Sequence, residues 1–341
     1  MKAIVARPGG QLENLEYTDW PDPIAGPGEV VVKVGAASCN HAEIWLRRGM
    51  LGALPLVPGI DAAGTIAEIG PGVSNISTGT RVVINPATSC GHCQYCYIGE
   101  HGLCAERKAI GQTLDGGFAQ YVKIPAENVV PIREDLSFEE AAAIPSAFFT
   151  SWQLLTRRAD LRLGQTILVM AAASGVGSAA IQIAKLLGAR VIAAAGSDVK
   201  LRRAAQWGAD ALVNYSGDDW PRQVLDLTGG EGPHVILDGV GGAFWPGYFK
   251  CIRRGGKIVT FSFTAGKTPS VDIETIVRRQ MTIVGSSPQG AKSIVQQVMS
   301  LVNEGKLHGV IDRTFPLHEA AKAQEAMEER SVIGKIILMP D

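Results

Sequence analysis

No charge of one sign dominates this chain: 32 Lys+Arg stand against 33 Asp+Glu, a formal net charge of −1 over 341 residues. Attraction to phosphate backbones or anionic lipid needs a basic excess or a run of like charges, so neither nucleic acid nor a membrane surface is expected as a partner. A long unbroken apolar run is missing too. The stretch from Thr166 to Ala184 comes nearest, but Ser174, Gly175, Gly177 and Ser178 cut it and Gln182 lies inside it. A buried strand followed by a helix is expected there, not a membrane span. Met1 to Gly10 holds one lysine, a short apolar stretch and Pro8-Gly9-Gly10, too little for the core of a secretory leader. A cytoplasmic protein is expected, and Asn75-Ile76-Ser77 then matches a glycosylation acceptor only by chance. No internal repeat is evident, which excludes a solenoid.

With 46% hydrophobic and 19% charged residues, the composition is that of a globular protein of roughly two domains. Two features are in excess. Glycine occurs 40 times, and four of the six cysteines fall between Cys90 and Cys104.

Up to about residue 130 the chain shows short β-type runs: Val30 to Val34, Gly64 to Ile69, Arg81 to Ile84 and Gln120 to Ile124. Pro27-Gly28, Pro58-Gly59 and Pro71-Gly72 punctuate them, which predicts an irregular, barrel-like β unit. Glu139 to Leu155 is apolar with helical spacing around Pro145 and reads as the connection onward. From Thr166 strands and helices alternate, beginning with Ile167 to Ala172, Val176 to Leu187, Arg190 to Ala195 and Val199 to Trp207. Further strands follow at Ala211 to Val213, His234 to Leu237, Lys257 to Phe261 and Met281 to Gly285. About six strands with intervening helices predict an open, mostly parallel sheet covered on both faces. Beyond Pro288 come helices Ser293 to Asn303 and Glu319 to Glu329, then a last strand, Lys335 to Leu338.

Cys90, Cys93, Cys96 and Cys104 place four thiols in fifteen positions. In a reducing compartment four closely spaced thiolates match the tetrahedral preference of zinc, and four protein ligands leave no open position for a substrate. The expectation is one structural zinc, with a disulfide pair or free thiols as the competing readings. His92 and His101 read as solvent-facing neighbours, and Cys251 as packing.

The strand ending at Ala172 leads through Ala173-Ser174-Gly175-Val176-Gly177-Ser178 into a helix. A tight turn with bare amides at a helix N-terminus is what a dinucleotide pyrophosphate requires. Ser174, Gly175, Val176 and Gly177 are therefore candidate cofactor residues. Ala172 and Ser174 occupy the first two glycine positions of the Gly-x-Gly-x-x-Gly fingerprint, and only Gly177 matches it. Where an NAD enzyme carries an acid for the ribose, this chain reads Ala193-Ala194-Ala195-Gly196-Ser197. With no carboxylate there, a 2′-phosphate meets no repulsion, and Ser197 and Lys200, with Arg203 nearby, suit it. The expected cofactor is NADPH. Asp198 is the one acid nearby, and it reads as the cap of the next helix.

Together these features resemble the medium-chain dehydrogenase/reductase superfamily, the group of zinc alcohol dehydrogenases and quinone oxidoreductases. The four-cysteine lobe carries the resemblance, with Pro58-Gly59-Ile60-Asp61-Ala62-Ala63-Gly64, Ala171 to Gly177, and Gly334-Lys335-Ile336-Ile337. It implies an α/β fold in which a Rossmann doubly wound parallel sheet is inserted into a GroES-like β-barrel catalytic domain. The expected boundaries are 1–147 plus 288–341 for the GroES-like domain, with its lobe at 90–104, and 148–287 for the Rossmann domain. It also implies a homodimer or homotetramer joined through the last Rossmann strand, Met281 to Gly285. His41 becomes a pyrophosphate donor, and Tyr215 joins Gly196, Ser197 and Lys200 at the 2′-phosphate.

The departures from the family bear on mechanism. Its zinc alcohol dehydrogenases hold a catalytic zinc at positions that align with Asn40, Ile60 and Ser146, and their proton relay aligns with Ala42 and Trp45. Ile60 cannot ligate a metal, and Asn40 and Ser146 are poor zinc ligands. Without a Lewis acid, reduction of an isolated ketone loses its main charge stabilisation, whereas conjugated acceptors spread the developing charge into an enolate. The expectation is NADPH-dependent reduction of an activated C=C or quinone, taking an enone, quinone or enoyl thioester. The nicotinamide then packs near Thr150 and Val176, with Asn40, Trp45 and Arg47 facing the small-molecule substrate. A family tyrosine proton donor aligns with Leu51, so the proton source stays open, as does the reading of Arg47 and Arg48 as solvated surface residues. Two further readings also stay open. One is an alcohol dehydrogenase whose zinc takes Cys39, His41 and Asp61, provided that segment is a strand. The other is a non-catalytic NADPH-binding protein.

Overall fold

A computed structural model describes residues 1–287 and 291–340. Its contacts divide the chain into two units, Met1–Phe149 with Gln289–Asp341, and Thr150–Pro288. The expected breaks after 147 and 287 lie beside these bounds, and residue 288, where the second GroES-like piece was expected to begin, lies outside the described residues.

In the first unit, valine-rich strands form because β-branched side chains pack well on a pleated sheet. Glu29–Ser38 is its central strand, with the burial pattern of one that is covered along most of its length. It pairs antiparallel with Asp61–Ile69, with Tyr121–Pro125, and with the last strand, Lys335–Met339. Arg81–Ile84 and Val129–Pro131 continue the sheet on one side, and Ile311–Pro316 flanks the last strand on the other. Both ends of the chain thus build one sheet. Its apolar core includes Ile4, Val30, Val32, Ile66, Val82, Phe118 and Ile336.

The second unit is a six-stranded, all-parallel sheet. Its spatial order is Ala211–Asn214, Arg190–Ala195, Thr166–Val169, Val235–Asp238, Lys257–Thr260, Thr282–Gly285. Counted in chain order this is the doubly wound Rossmann arrangement, which reverses between Thr166–Val169 and Val235–Asp238. Ligands bind in such sheets at the carboxyl ends of the strands beside that reversal.

One segment departs from expectation. The apolar stretch after residue 138 is not one α-helix: Phe138–Ala142 is α-helical, while Pro145–Phe149 and Gln153–Arg158 are wound as wider π-turns. Pro145 lacks the N–H that would continue the ladder, so the winding changes where the proline stands.

Candidate functional site

The first unit gathers a buried polar cluster at the start of the α-helix His41–Arg47. Strand register builds it. Ser38 pairs with Asp61 across two antiparallel strands, and Ile337 pairs with Ser38 from the far end of the chain. Lys335 is thereby laid against Cys39 and Asn40. Its ammonium donates to the Cys39 carbonyl at 2.9 Å, to Asp61 Oδ2 at 3.2 Å and to Asn40 Oδ1. Those three bonds use all its protons.

Asp61 is fully buried. Its Oδ2 also accepts from Ser38 Oγ at 3.1 Å and Asn40 Nδ2 at 3.0 Å. Its Oδ1 accepts from Ser146 N at 3.0 Å and Ser146 Oγ at 2.6 Å. Glu43, also buried, accepts from Asn40 N at 2.7 Å and from Ile60 N at 2.9 Å. Burial pushes its carboxyl up to about 7, although the Ile60 amide and the Lys335 ammonium pull the other way.

The three positions aligned with catalytic zinc ligands thus hold an amide, an isoleucine and a serine, and the amide and the serine are spent on Asp61. A dication here would face an ammonium whose place it must take. The alternative set of Cys39, His41 and Asp61 is not assembled either. The strand ends at Ser38 and the helix begins at His41, so Cys39 and His41 do not share a strand face. Cys39 is buried, which holds its thiol well above its ordinary range, and His41 is exposed. These residues do not fit a catalytic zinc.

Arg47 corrects an expectation. It neither faces open solvent nor stands free for a substrate: it is 3% exposed, and its guanidinium donates to Glu328 at 2.6 Å, as does that of Arg48. The pair braces the helix Ala320–Glu328. Trp45 is half-buried one turn from His41, with ring centroids 6.4 Å apart.

The cysteine lobe is drawn together at its base, where Ala87 pairs with Ala109 and Thr88 with Lys108. The sulfur pairs Cys90–Cys96, Cys93–Cys96 and Cys90–Cys104 lie 3.9, 3.6 and 3.6 Å apart. A tetrahedral zinc with arms of about 2.3 Å sets its sulfurs about 3.8 Å apart, so the four fit one closed site. All four are brought within mutual reach, whereas His92 turns its Nδ1 to the Cys90 carbonyl at 2.8 Å.

In the second unit, Ser174 caps the helix Gly175–Leu186, its Oγ accepting from Gly177 N at 3.0 Å. The amides of Gly175 and Val176, in the first turn, precede any intrahelical acceptor and suit an anion. A Cβ on Gly177 would stand 2.4 Å from the Ala171 carbonyl, so only glycine lets helix and strand approach this closely. Ala171 itself, at φ +49, takes the left-handed turn, a position the glycine pattern did not reveal. Thr150 is buried at the start of this unit.

At the end of the second strand Gly196 is exposed, with the Tyr215 ring 3.2 Å from where its Cβ would be. Tyr215 is held edge-on against Phe244, centroids 4.9 Å apart. Ser197, not Asp198, is the helix cap residue, and it makes no side-chain cap bond. Asp198 lies in the first turn, and its Oδ1 accepts from Asn214 Nδ2 at 3.0 Å. The acid is thus tied sideways beside Ser197 and Lys200.

Comparison with known proteins agrees with this geometry. Residues 26–134 match the alcohol dehydrogenase GroES-like domain, and residues 175–304 match the zinc-binding dehydrogenase domain. An alcohol dehydrogenase of Geobacillus stearothermophilus is 32% identical over 331 residues, 96% of both chains. The chain belongs to the medium-chain dehydrogenase/reductase superfamily. An acryloyl-coenzyme A reductase of Sulfurisphaera tokodaii is 27% identical over 343 residues, covering 100% of both. A crystal structure of an NAD-dependent alcohol dehydrogenase superposes with a TM-score of 0.95 at 43% identity, covering 99% of each chain. The protein is an oxidoreductase of this superfamily. No helix among its described residues is long and apolar enough to cross a membrane.

Proposed function

We propose that this oxidoreductase uses NADPH to reduce an activated C=C or a quinone, with one structural zinc in its lobe and no metal at the reacting centre. The observation that carries the reading is the Asp61 cluster: five donors saturate the carboxylate, and Lys335 supplies the positive charge that a metal would otherwise bring. Bound NADPH would supply the hydride, and conjugated acceptors take hydride at the β-carbon with the negative charge spread into an enolate.

This chain's residues then have distinct duties. The amides of Gly175 and Val176 hold the pyrophosphate. Gly196, Ser197, Lys200 and Tyr215 hold the 2′-phosphate, and the tie between Asp198 and Asn214 keeps the nearby acid turned aside. Asn40 serves as a strut, since its amide nitrogen is spent on Asp61 and the Ser38 carbonyl. Trp45 and Thr150 remain the candidates for contact with substrate and nicotinamide. Two copies pair through the strand Thr282–Gly285, an edge of the second-unit sheet whose Thr282, Ile283 and Gly285 are exposed.

A second reading, an NAD-dependent alcohol dehydrogenase, is favoured by the relative at 43% identity. One assay series separates the two: NADPH consumption over quinones, enones and enoyl thioesters, set against NAD-dependent oxidation of alcohols. Turnover of conjugated acceptors that survives chelation sparing the lobe zinc supports the reductase. Turnover confined to alcohols and abolished by that chelation overturns it. Tight NADPH binding with no turnover of any acceptor would point to a non-catalytic protein.

A further inference from the structure

In the first unit a cleft of about 370 Å³ opens where the turn Gly10-Gln11-Leu12 lies against the end of the helix His41–Arg47. Arg47, Arg48 and Glu328 complete its lining. Clefts that take small molecules begin at about 300 Å³, and a water's share of the liquid is about 30 Å³, so a small organic guest has room. Leu12 is the one apolar side chain of the lining, which excludes a hydrophobic guest.

Charge on the walls is unbalanced. Both guanidiniums lie 2.6 Å from the same oxygen, Glu328 Oε1, and Glu328 is the one acid among the described lining residues. Two cations therefore share one carboxylate. Each guanidinium spends a single nitrogen on it and makes no other side-chain hydrogen bond among the described residues. Arg47 is buried, and its Nε is sealed from solvent without an acceptor. Arg48 is exposed and keeps most of its donor fork unspent. The amides of Gly10 and Leu12 have no acceptor within the described residues either. A second anion in the cleft pairs the surplus positive charge, and a guanidinium fork beside unclaimed amides matches the oxygens of a phosphoryl group.

We propose that this cleft binds the phosphate monoester of a small polyol. Arg48 and the turn amides hold the phosphoryl oxygens, while Arg47 stays on Glu328 and adds charge from beneath. The polar remainder of the cleft takes the hydroxylated part. The site needs neither the cofactor nor the Asp61 cluster, so it stands apart from the oxidoreductase reaction.

The test is calorimetric titration of the full chain with glycerol 3-phosphate, inorganic phosphate and glycerol, at constant ionic strength set with sodium chloride. NADP+ and NAD+ are both present in excess, to fill the anion-binding turn of the second unit. Saturable binding of glycerol 3-phosphate in the millimolar range or tighter is expected, with weaker binding of inorganic phosphate and none of glycerol. Arg48→Met, a change at an exposed side chain, should weaken the ester by about tenfold or more, as loss of charge-assisted hydrogen bonds implies. Glu328→Gln removes the competing negative charge yet keeps an acceptor for Arg47, and it should bind the ester a few times more tightly. A merely structural role for these residues would weaken both variants. Equal affinity in wild type and Arg48→Met would overturn the site, as would weaker binding in Glu328→Gln or no saturation at all. Inorganic phosphate bound as tightly as the ester, or glycerol bound as tightly as its phosphate, would overturn the polyol phosphate assignment.

Discussion

The four cysteines of the lobe and the cluster around Asp61 belong to the same unit, and the family sets metal ligands at both places. Their donors end differently. In the lobe, sulfurs converge at the spacing of a tetrahedral ion. Around Asp61, every oxygen and nitrogen has found a partner within the protein, and a lysine from the opposite end of the chain provides the cation. The difference teaches that ligand-type residues are not enough to make a metal site. What decides is whether their donor atoms are left converging and unspent.

Breaking the lobe should have the largest effect. Apparent binding energies of structural zinc reach about 10–16 kcal/mol, so Cys104→Ala should cost zinc and the fold of the lobe together. Zinc content and limited proteolysis after Cys104 would show both losses, and retention of either would contradict the closed four-thiolate site. Next comes Lys335→Met, which strands a buried carboxylate. The expected cost is about 3–5 kcal/mol by denaturant unfolding, with much of it recovered in the double variant Lys335→Met with Asp61→Asn. Zinc-dependent rescue of the single variant would instead mean that Lys335 merely displaces a metal.

Glu43 sharpens the comparison through pH. A carboxyl raised in the folded state favours the fold when protonated, so its contribution is complete below the unfolded value near 4.5 and is lost as pH rises towards about 7. The loss is on the order of 3 kcal/mol. Subtracting the stability profile of Glu43→Gln from that of the wild type should reveal this decline over that window, and a flat difference would refute it. The smallest effect is expected at the cofactor end. Lys200→Ala should weaken NADPH by about 1.5–3 kcal/mol while leaving NADH nearly unchanged. Equal losses for both cofactors would remove Lys200 from the 2′-phosphate.

Much of this was legible because the signals are local. The strand Arg190–Ala195 and the strand Arg81–Ile84 have the bounds that their sequence patterns predict. The helix Asp198–Gln206 differs from its expected bounds by one residue at each end. Four cysteines close in sequence announce a metal lobe without any knowledge of the fold. The Asp61 cluster was not legible, since its decisive contact joins Lys335 to residues almost three hundred positions away. The one signal was a lysine opening an otherwise apolar strand, Lys335-Ile336-Ile337-Leu338. Arg47 was misplaced for the same reason, because Glu328 reaches it only once both ends of the chain enter one unit. Asp198 reads as a cap from spacing alone, and only the neighbouring strand shows that Asn214 claims its carboxylate.

The central claim, that one of the family's two metal positions keeps its metal and the other has replaced it with an ammonium, is tested most directly by the zinc content of the purified, active chain. One zinc per chain, lost on substitution of Cys104, is the predicted result. Two zincs per chain, with one retained in that variant, would contradict the account.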